Sequence, residues 1–65
     1  MFVIVNGQAH RLPESQTLAA LLLSLSPPAP FAVARNQEVV RRETYEDCRI
    51  YPGDRIDIVH PTAGG

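Results

Sequence analysis

The chain has 65 residues, 45% of them hydrophobic, and a formal net charge of −1 at pH 7. A chain this short forms one small domain and buries only about 60% of its unfolded surface, which excludes a deep cleft between two lobes. The single cysteine, Cys48, excludes a disulfide scaffold and a zinc site built from paired cysteines. All six basic residues are arginines and are balanced by seven acidic ones, which argues against a nucleic-acid binder.

The N-terminal segment is typical of a β-hairpin. Residues 1–5 are a β-branched and aromatic run, and Asn6 and Gly7 follow, which both tolerate positive φ. A return strand is predicted over residues 8–12, and Pro13 ends it.

A short amphipathic helix is predicted next. Thr17 is the favoured N-cap, with Ser15 as the rival. Leucines then recur at i, i+3, i+4 and i+7, within an arc of about 80° on one helix face. These leucines are Leu18, Leu21, Leu22 and Leu25. Prolines at positions 27, 28 and 30 stop the helix and favour a stiff, extended connection.

The remainder of the chain carries further strand signals. Strands are predicted over residues 31–35, 38–41 and 55–59, with a turn at 36–37 and one irregular helical turn within 43–47. The last strand alternates charged and apolar residues, which places Ile56 and Ile58 on the same sheet face.

This order of elements predicts an α+β fold, a mixed sheet of about five strands with one helix packed on one face. No repeat or linker divides the chain, so residues 1–65 are expected to form a single domain with 61–65 as a flexible C-terminal tail. The sheet face away from the helix stays open to water or to a partner.

Three side chains are candidates for catalysis, those of His10, His60 and Cys48. His10 and His60 are the only histidines, and neither has a serine, cysteine or carboxylate at a spacing that indicates a triad. Cys48 lies next to Arg49, which would suit a reactive thiolate, but a small residue packed beneath a loop is the simpler interpretation. No phosphate-loop, dinucleotide or metalloprotease motif occurs. No catalytic residue and no metal site are predicted.

The open sheet face is a candidate partner surface. Both alternating sets of the first strand are apolar, so one set packs under the helix and the other is left exposed. We predict a partner-binding patch of Phe2, Ile4 and Val59, with scattered surface apolar groups as the alternative.

The sequence ends on Gly64 and Gly65, after the last strand has been stopped by Pro61. Two residues without side chains can enter a narrow channel and adopt conformations closed to other residues. Such a tail could present its carboxylate to another enzyme, where activation as a mixed anhydride would let it take up sulfur or form an amide. A frayed end with two unremarkable glycines is the alternative.

The order of elements together with this tail resembles the ubiquitin-like β-grasp fold and, within it, the ThiS family of sulfur carriers in thiamine thiazole biosynthesis. The resemblance covers nearly the whole chain. It is carried by Asn6, Gly7, Thr17, Leu18, Leu21, Leu22, Leu25, residues 32–36 and 38–40, Arg42, Tyr45, residues 53–56, Gly64 and Gly65.

The resemblance implies a carrier that catalyses nothing itself. A ThiF-type adenylyltransferase would use ATP to adenylate the carboxylate of Gly65, with Gly64 required for access. A sulfur donor, such as a cysteine desulfurase persulfide, would supply the sulfur of a thiocarboxylate, and a ThiG-type thiazole synthase would consume it. The carrier itself would bind no cofactor, nucleic acid or membrane.

Three alternatives remain open from the sequence. One is the related sulfur carrier of molybdopterin synthase, the MoaD type, which shares the fold and the tail. The others are a non-carrier β-grasp binding module and a small enzyme using Cys48 or a histidine.

Cytoplasmic residence is expected, because the apolar run at 18–25 is too short to span a membrane and the N-terminus lacks the basic region of a signal peptide.

Overall fold

A computed structural model describes residues 1–61. The chain forms strands β1 (Phe2–Val5) and β2 (Gln8–Arg11), helix α1 (Leu18–Leu25), strands β3 (Ala32–Arg35) and β4 (Glu38–Val40), a 3₁₀ turn (Arg42–Thr44) and strand β5 (Arg55–Val59). The five strands make one sheet in the order β2-β1-β5-β3-β4. The predicted element order is therefore confirmed.

Strand β5 lies at the centre of the sheet and joins its two hairpins. It pairs in parallel with β1, through Ile4 with Arg55 and Val5 with Ile56. On its other edge it pairs antiparallel with β3, from Ala32 with Val59 to Arg35 with Ile56. The sheet is therefore mixed, as predicted.

Both hairpins turn on asparagine. Asn6 and Asn36 each have φ of +50°, and the residues that follow them, Gly7 and Gln37, have φ of +81° and +71°. Two successive positive φ angles are the mark of a type I′ turn, whose twist matches that of the flanking strands. Gln37 has a side chain and no special tolerance of this region, so its conformation is imposed by the pairing of β3 with β4.

Helix α1 packs its leucine face on the sheet. The hydroxyl oxygen of Thr17 accepts from the backbone N–H of Ala20 at 3.2 Å, so Thr17 is the N-cap and Ser15 is not. Carbonyls of the later loop accept from the helix start, Tyr45 O from Ala19 N and Cys48 O from Leu18 N. Helix-terminal N–H groups need such partners because no earlier turn supplies them.

The core lies between helix and sheet. Its buried members are Val3, Val5, Leu12, Leu18, Leu21, Leu22, Val33, Ile50, Ile56 and Ile58. Val3 and Val5 therefore face the helix, while Phe2 faces outward. The sequence pattern left this choice open, since both sets of the first strand are apolar.

Element boundaries differ from prediction by one to three residues. Strands β2 and β4 stop one residue early, β3 starts one residue late, and the helical turn predicted within 43–47 is the 3₁₀ turn at Arg42–Thr44. Strand ends are set by the partner strand, which the local sequence does not reveal. Within residues 1–61, no helix is both long and apolar enough to cross a membrane.

We expect Leu22→Ala to lower the free energy of unfolding by about 2–5 kcal/mol, the range for truncating a buried leucine. Leu22 is 7% exposed, whereas its helix neighbour Leu23 is 81% exposed. Leu23→Ala is the matched control and should change stability by less than about 0.5 kcal/mol. Urea denaturation followed by circular dichroism measures both, and equal stability of the two variants would contradict the assignment of the helix face.

Candidate functional site

The predicted functional tail begins where β5 ends. Val59 is the last residue of β5, and His60 and Pro61 follow it on the surface. The predicted sulfur-carrying residue Gly65 and the access residue Gly64 lie outside the described residues. The structure therefore defines the point from which the tail departs, at one end of the central strand.

The predicted partner patch lies on the sheet face away from the helix. Phe2 is 57% exposed and Val59 is 58% exposed, and Ile4 is half-buried. Strand alternation puts all three on the same side, opposite to Val3 and Ile58, which face the helix. This face is thus open, as predicted.

The structure brings Phe2 and Ile4 together but does not bring Val59 beside them. Because Ile4 pairs with Arg55, Val59 lies six strand positions beyond the level of Phe2, roughly 20 Å along the sheet. Arg55 and Asp57 occupy the same face between the two apolar ends, and their side chains form an ion pair at 3.4 Å. Along β1 and β5 the open face therefore has two apolar areas separated by a charged pair, and the area at Val59 is the one beside the tail.

A buried carboxylate supports the start of β5. Asp54 is 8% exposed, and its side-chain oxygens accept from Arg35 Nε at 2.9 Å, Asn36 Nδ2 at 3.2 Å and the backbone N–H of Tyr51 at 2.9 Å. The Arg35 guanidinium also lies over the Tyr51 ring, 5.9 Å from its centroid. A buried charge is tolerated only when it is paired and hydrogen-bonded in this way.

Opposing effects act on the Asp54 carboxyl. Burial raises its pKa, but the hydrogen bonds from Tyr51, Arg35 and Asn36 and the charge of Arg35 together outweigh burial and hold the pKa below its ordinary value. The same hydrogen bond raises the pKa of Arg35. The sequence alone does not predict this role for Asp54, because its only local signal is an acidic residue directly after Pro52 and Gly53.

The three candidates for catalysis, His10, His60 and Cys48, lie in separate parts of the fold. His10 is on the edge strand β2, beside Val3 of β1. The Nδ1 atom of His60 lies 3.2 Å from the Pro30 carbonyl oxygen, across β1 and β5 from the β2 edge. Cys48 is partly buried in the loop before Ile50 and packs against the core. Among residues 1–61, no group of three or more His, Cys, Asp or Glu side chains could hold a metal ion.

The strand order, the mixed sheet and the single crossing helix define a ubiquitin-like β-grasp protein. Solved structures agree. The chain superposes on the crystal structure of the thiamine biosynthesis protein ThiS from Geobacter metallireducens with a TM-score of 0.89, at 28% identity and with all of both chains covered. A solution structure of a thiamine biosynthesis protein from the same organism gives a TM-score of 0.80 at 28% identity, covering all of this chain and 88% of that one.

A sequence model of the ThiS family matches residues 3–65 of this chain. The chain therefore belongs to the ThiS family, and both the predicted fold class and the predicted resemblance are confirmed. This membership favours the carrier over the small-enzyme and binding-module alternatives.

Two curated relatives are larger proteins. The chain is 38% identical over 66 residues to a thiazole synthase of Magnetococcus marinus, and 33% identical over 66 residues to a thiazole synthase of Paramagnetospirillum magneticum. In both comparisons the whole of this chain is covered, but it spans only 20% of the relative. This chain therefore corresponds to about a fifth of the length of each of these relatives.

We expect acid to destabilise the parent protein partly through Asp54. A carboxyl whose pKa is lowered on folding contributes stability that is present above its unfolded pKa, about 3.9, and is lost as pH falls through the folded value. Asp54→Asn keeps the shape but removes the charge, so it should cost about 1–3 kcal/mol at pH 7 and less at pH 3.

The measurement is urea denaturation of parent and variant at the two pH values. Glu38→Gln, at an exposed acidic position, is the control and should leave the difference between pH 7 and pH 3 nearly unchanged. A cost for Asp54→Asn that is the same at both pH values would contradict the proposed charge interaction.

Proposed function

We propose that this chain is a sulfur carrier that supplies sulfur for the thiazole ring of thiamine, with the carboxylate of Gly65 as the carrying group. Membership of the ThiS family is the observation that carries the proposal, and the family match extends through residue 65. The full-length likeness to the ThiS protein of Geobacter metallireducens supports the same role.

The chemistry requires help from a partner enzyme, because a carboxylate is a poor electrophile. In the proposed cycle a Gly65 carboxylate oxygen attacks the α-phosphorus of ATP, and pyrophosphate leaves. The terminal sulfur of the donor persulfide then attacks the acyl carbon of the resulting adenylate, and AMP leaves. A thiol of the sulfur-transfer machinery attacks the inner sulfur of the acyl persulfide, forms a disulfide with the donor and releases the thiocarboxylate. A partner with an ATP site supplies the stabilisation of charge that this step needs.

Two enzymes and a sulfur donor complete the proposal. The activating partner is a ThiF-type adenylyltransferase, and the donor is a persulfide such as that of a cysteine desulfurase. The consuming partner is a ThiG-type thiazole synthase. For this last partner, support comes from the two relatives named thiazole synthase, in which a segment similar to this whole chain belongs to a longer polypeptide.

The same relatives favour the thiazole pathway over the molybdopterin alternative.

The chain itself needs no bound cofactor in this scheme, since ATP is a substrate of the activating partner. Cytoplasmic residence is part of the proposal, because the activation step consumes ATP.

We propose that the open sheet face docks on the activating enzyme. Val59 is exposed, apolar and only one residue from the start of the tail, so a partner that holds it would also receive the tail. Phe2 and Ile4 form the second apolar area of the same face. The Arg55 and Asp57 pair between them would have to meet polar groups of the partner.

Removing Gly65, or adding one residue after it, should abolish ATP-dependent activation and leave the melting temperature unchanged. One residue moves the carboxylate by about 3.3–3.6 Å, and misplacement by 1 Å can cost about a hundredfold in rate. The assay is pyrophosphate release with a ThiF-type enzyme, next to a circular dichroism melt.

Full activation of the variant without Gly65 would overturn the carrier proposal in favour of a binding module. Intact mass spectrometry of the protein recovered from cells is the companion measurement, and it should find a fraction in which one oxygen is replaced by sulfur. Delivery of this sulfur to a molybdopterin precursor instead of to thiazole would identify the other pathway.

Val59→Asp and Phe2→Asp should each weaken binding to the activating enzyme by about tenfold or more, because a carboxylate would be buried against apolar surface. Both sites are more than half exposed, so the melting temperature should change little. Leu23→Asp, at an exposed site on the helix, is the control and should bind like the parent. Isothermal titration calorimetry measures all three, and parent-like binding by both test variants would contradict the proposed docking face.

A further inference from the structure

The pairing between β3 and β5 stops at the point where the tail begins. Ala32 and Val59 form the last pair. Beyond them, Pro30 on one side and Pro61 on the other have no backbone N–H to donate. Backbone hydrogen bonding between the two strands therefore cannot continue past Val59, because both prolines lack the N–H donor. Any further hydrogen bond that fixes the start of the tail must come from a side chain.

His60 supplies that contact. Its Nδ1 atom lies 3.2 Å from the carbonyl oxygen of Pro30. A carbonyl oxygen only accepts, so the hydrogen bond requires a proton on Nδ1. Both the neutral tautomer with that proton and the imidazolium can donate it.

The acceptor lies on a stiff part of the chain. Prolines at positions 27, 28 and 30 fix the φ angle at three places between α1 and β3. At the end of this segment, Phe31 packs against the hydrophobic core. The Pro30 carbonyl is therefore a well-fixed reference point, and a side chain bonded to it is held relative to the sheet.

We propose that His60 is a positioning residue that sets the direction in which the C-terminal tail leaves the sheet. The inference rests on the proposed function and adds a residue to it. Gly65 is five residues beyond His60, a span of at most about 3.3–3.6 Å per residue. An error in direction at His60 is therefore carried forward, and Pro61, with its fixed φ, transmits it to the next residue.

Hydrogen bonds between a side chain and the backbone also fix β5 at two other places. Asn36 Oδ1 accepts from the backbone N–H of Arg55 at 2.9 Å, at the beginning of the strand. Asn6 Oδ1 accepts from the N–H of Ile58 at 2.7 Å, beyond the residues that β1 pairs with. At both places the side chain of a neighbouring turn accepts from a backbone N–H of β5, and at Arg55 the Asn36 backbone N–H donates to the strand as well. After the end of the strand the direction is reversed, since the His60 side chain contacts the neighbouring backbone.

Three substitutions at one position test the proposal. His60→Ala removes the donor. His60→Asn keeps an amide N–H close to the place of Nδ1, while His60→Gln moves the N–H one bond further out. His10→Ala is the matched control, since His10 is the other histidine and lies on the edge strand β2, which β1 separates from β5.

The main readout is steady-state activation by a ThiF-type enzyme with the carrier as the varied substrate. We expect His60→Ala and His60→Gln to lower kcat by about three- to tenfold with KM nearly unchanged, because the docking face is intact. His60→Asn should recover most of the parent kcat, and His10→Ala should match the parent. The second readout needs no enzyme: the heteronuclear NOE of the Val59 and His60 amides should fall in His60→Ala and recover in His60→Asn.

Parent-like kcat for His60→Ala would overturn the inference, as would equal loss in His60→Asn and His60→Ala. A fall in kcat accompanied by a matching loss of thermal stability would mean that His60 only stabilises the fold. That result would also overturn the inference. Failure of the proposed function has a different signature, since the parent chain itself would then not be adenylated.

Discussion

The backbone of β5 has to find hydrogen-bond partners on both edges, and the rest of the structure is arranged around this requirement. A central strand buried on one face cannot leave its N–H and C=O groups unpaired. The hairpin of β1 and β2 covers one edge and the hairpin of β3 and β4 covers the other. Where those backbones turn away, Asn6 and Asn36 extend their side chains to β5.

The buried Asp54 carboxylate fixes the residue that directly precedes β5. It receives hydrogen bonds from Arg35 and Asn36 at the end of the β3 hairpin and from the Tyr51 backbone in the preceding loop. Its own backbone carbonyl accepts from Ile4 of β1. One residue thus ties its own loop to two segments that are distant in sequence, β1 and the end of β3, and removing its charge would weaken this connection.

A fixed central strand suits a carrier whose proposed reactive group is a main-chain carboxylate. The chain places no cluster of metal-binding side chains within residues 1–61 and offers instead an open sheet face and a strand end. Under the proposed function, the fold would provide the docking surface and the direction of the tail, while an ATP-binding partner would carry out the chemistry. The small size of the domain is then no obstacle, because recognition needs a surface and not a cleft.

The sequence by itself determined the local features. The asparagine turns, the Thr17 cap, the leucine face of α1 and the alternation in β5 each depend on neighbouring residues, so local pattern was sufficient, and the order of elements with the diglycine indicated the family. Only the tertiary structure decided which face of β1 is buried, the separation of Phe2 from Val59, the partners of Asp54 and the contact of His60 with Pro30. Except for the hydrogen bond from Tyr51 to Asp54, which joins residues three positions apart, these depend on strand register and on contacts between residues 18 to 51 positions apart, which no local pattern encodes.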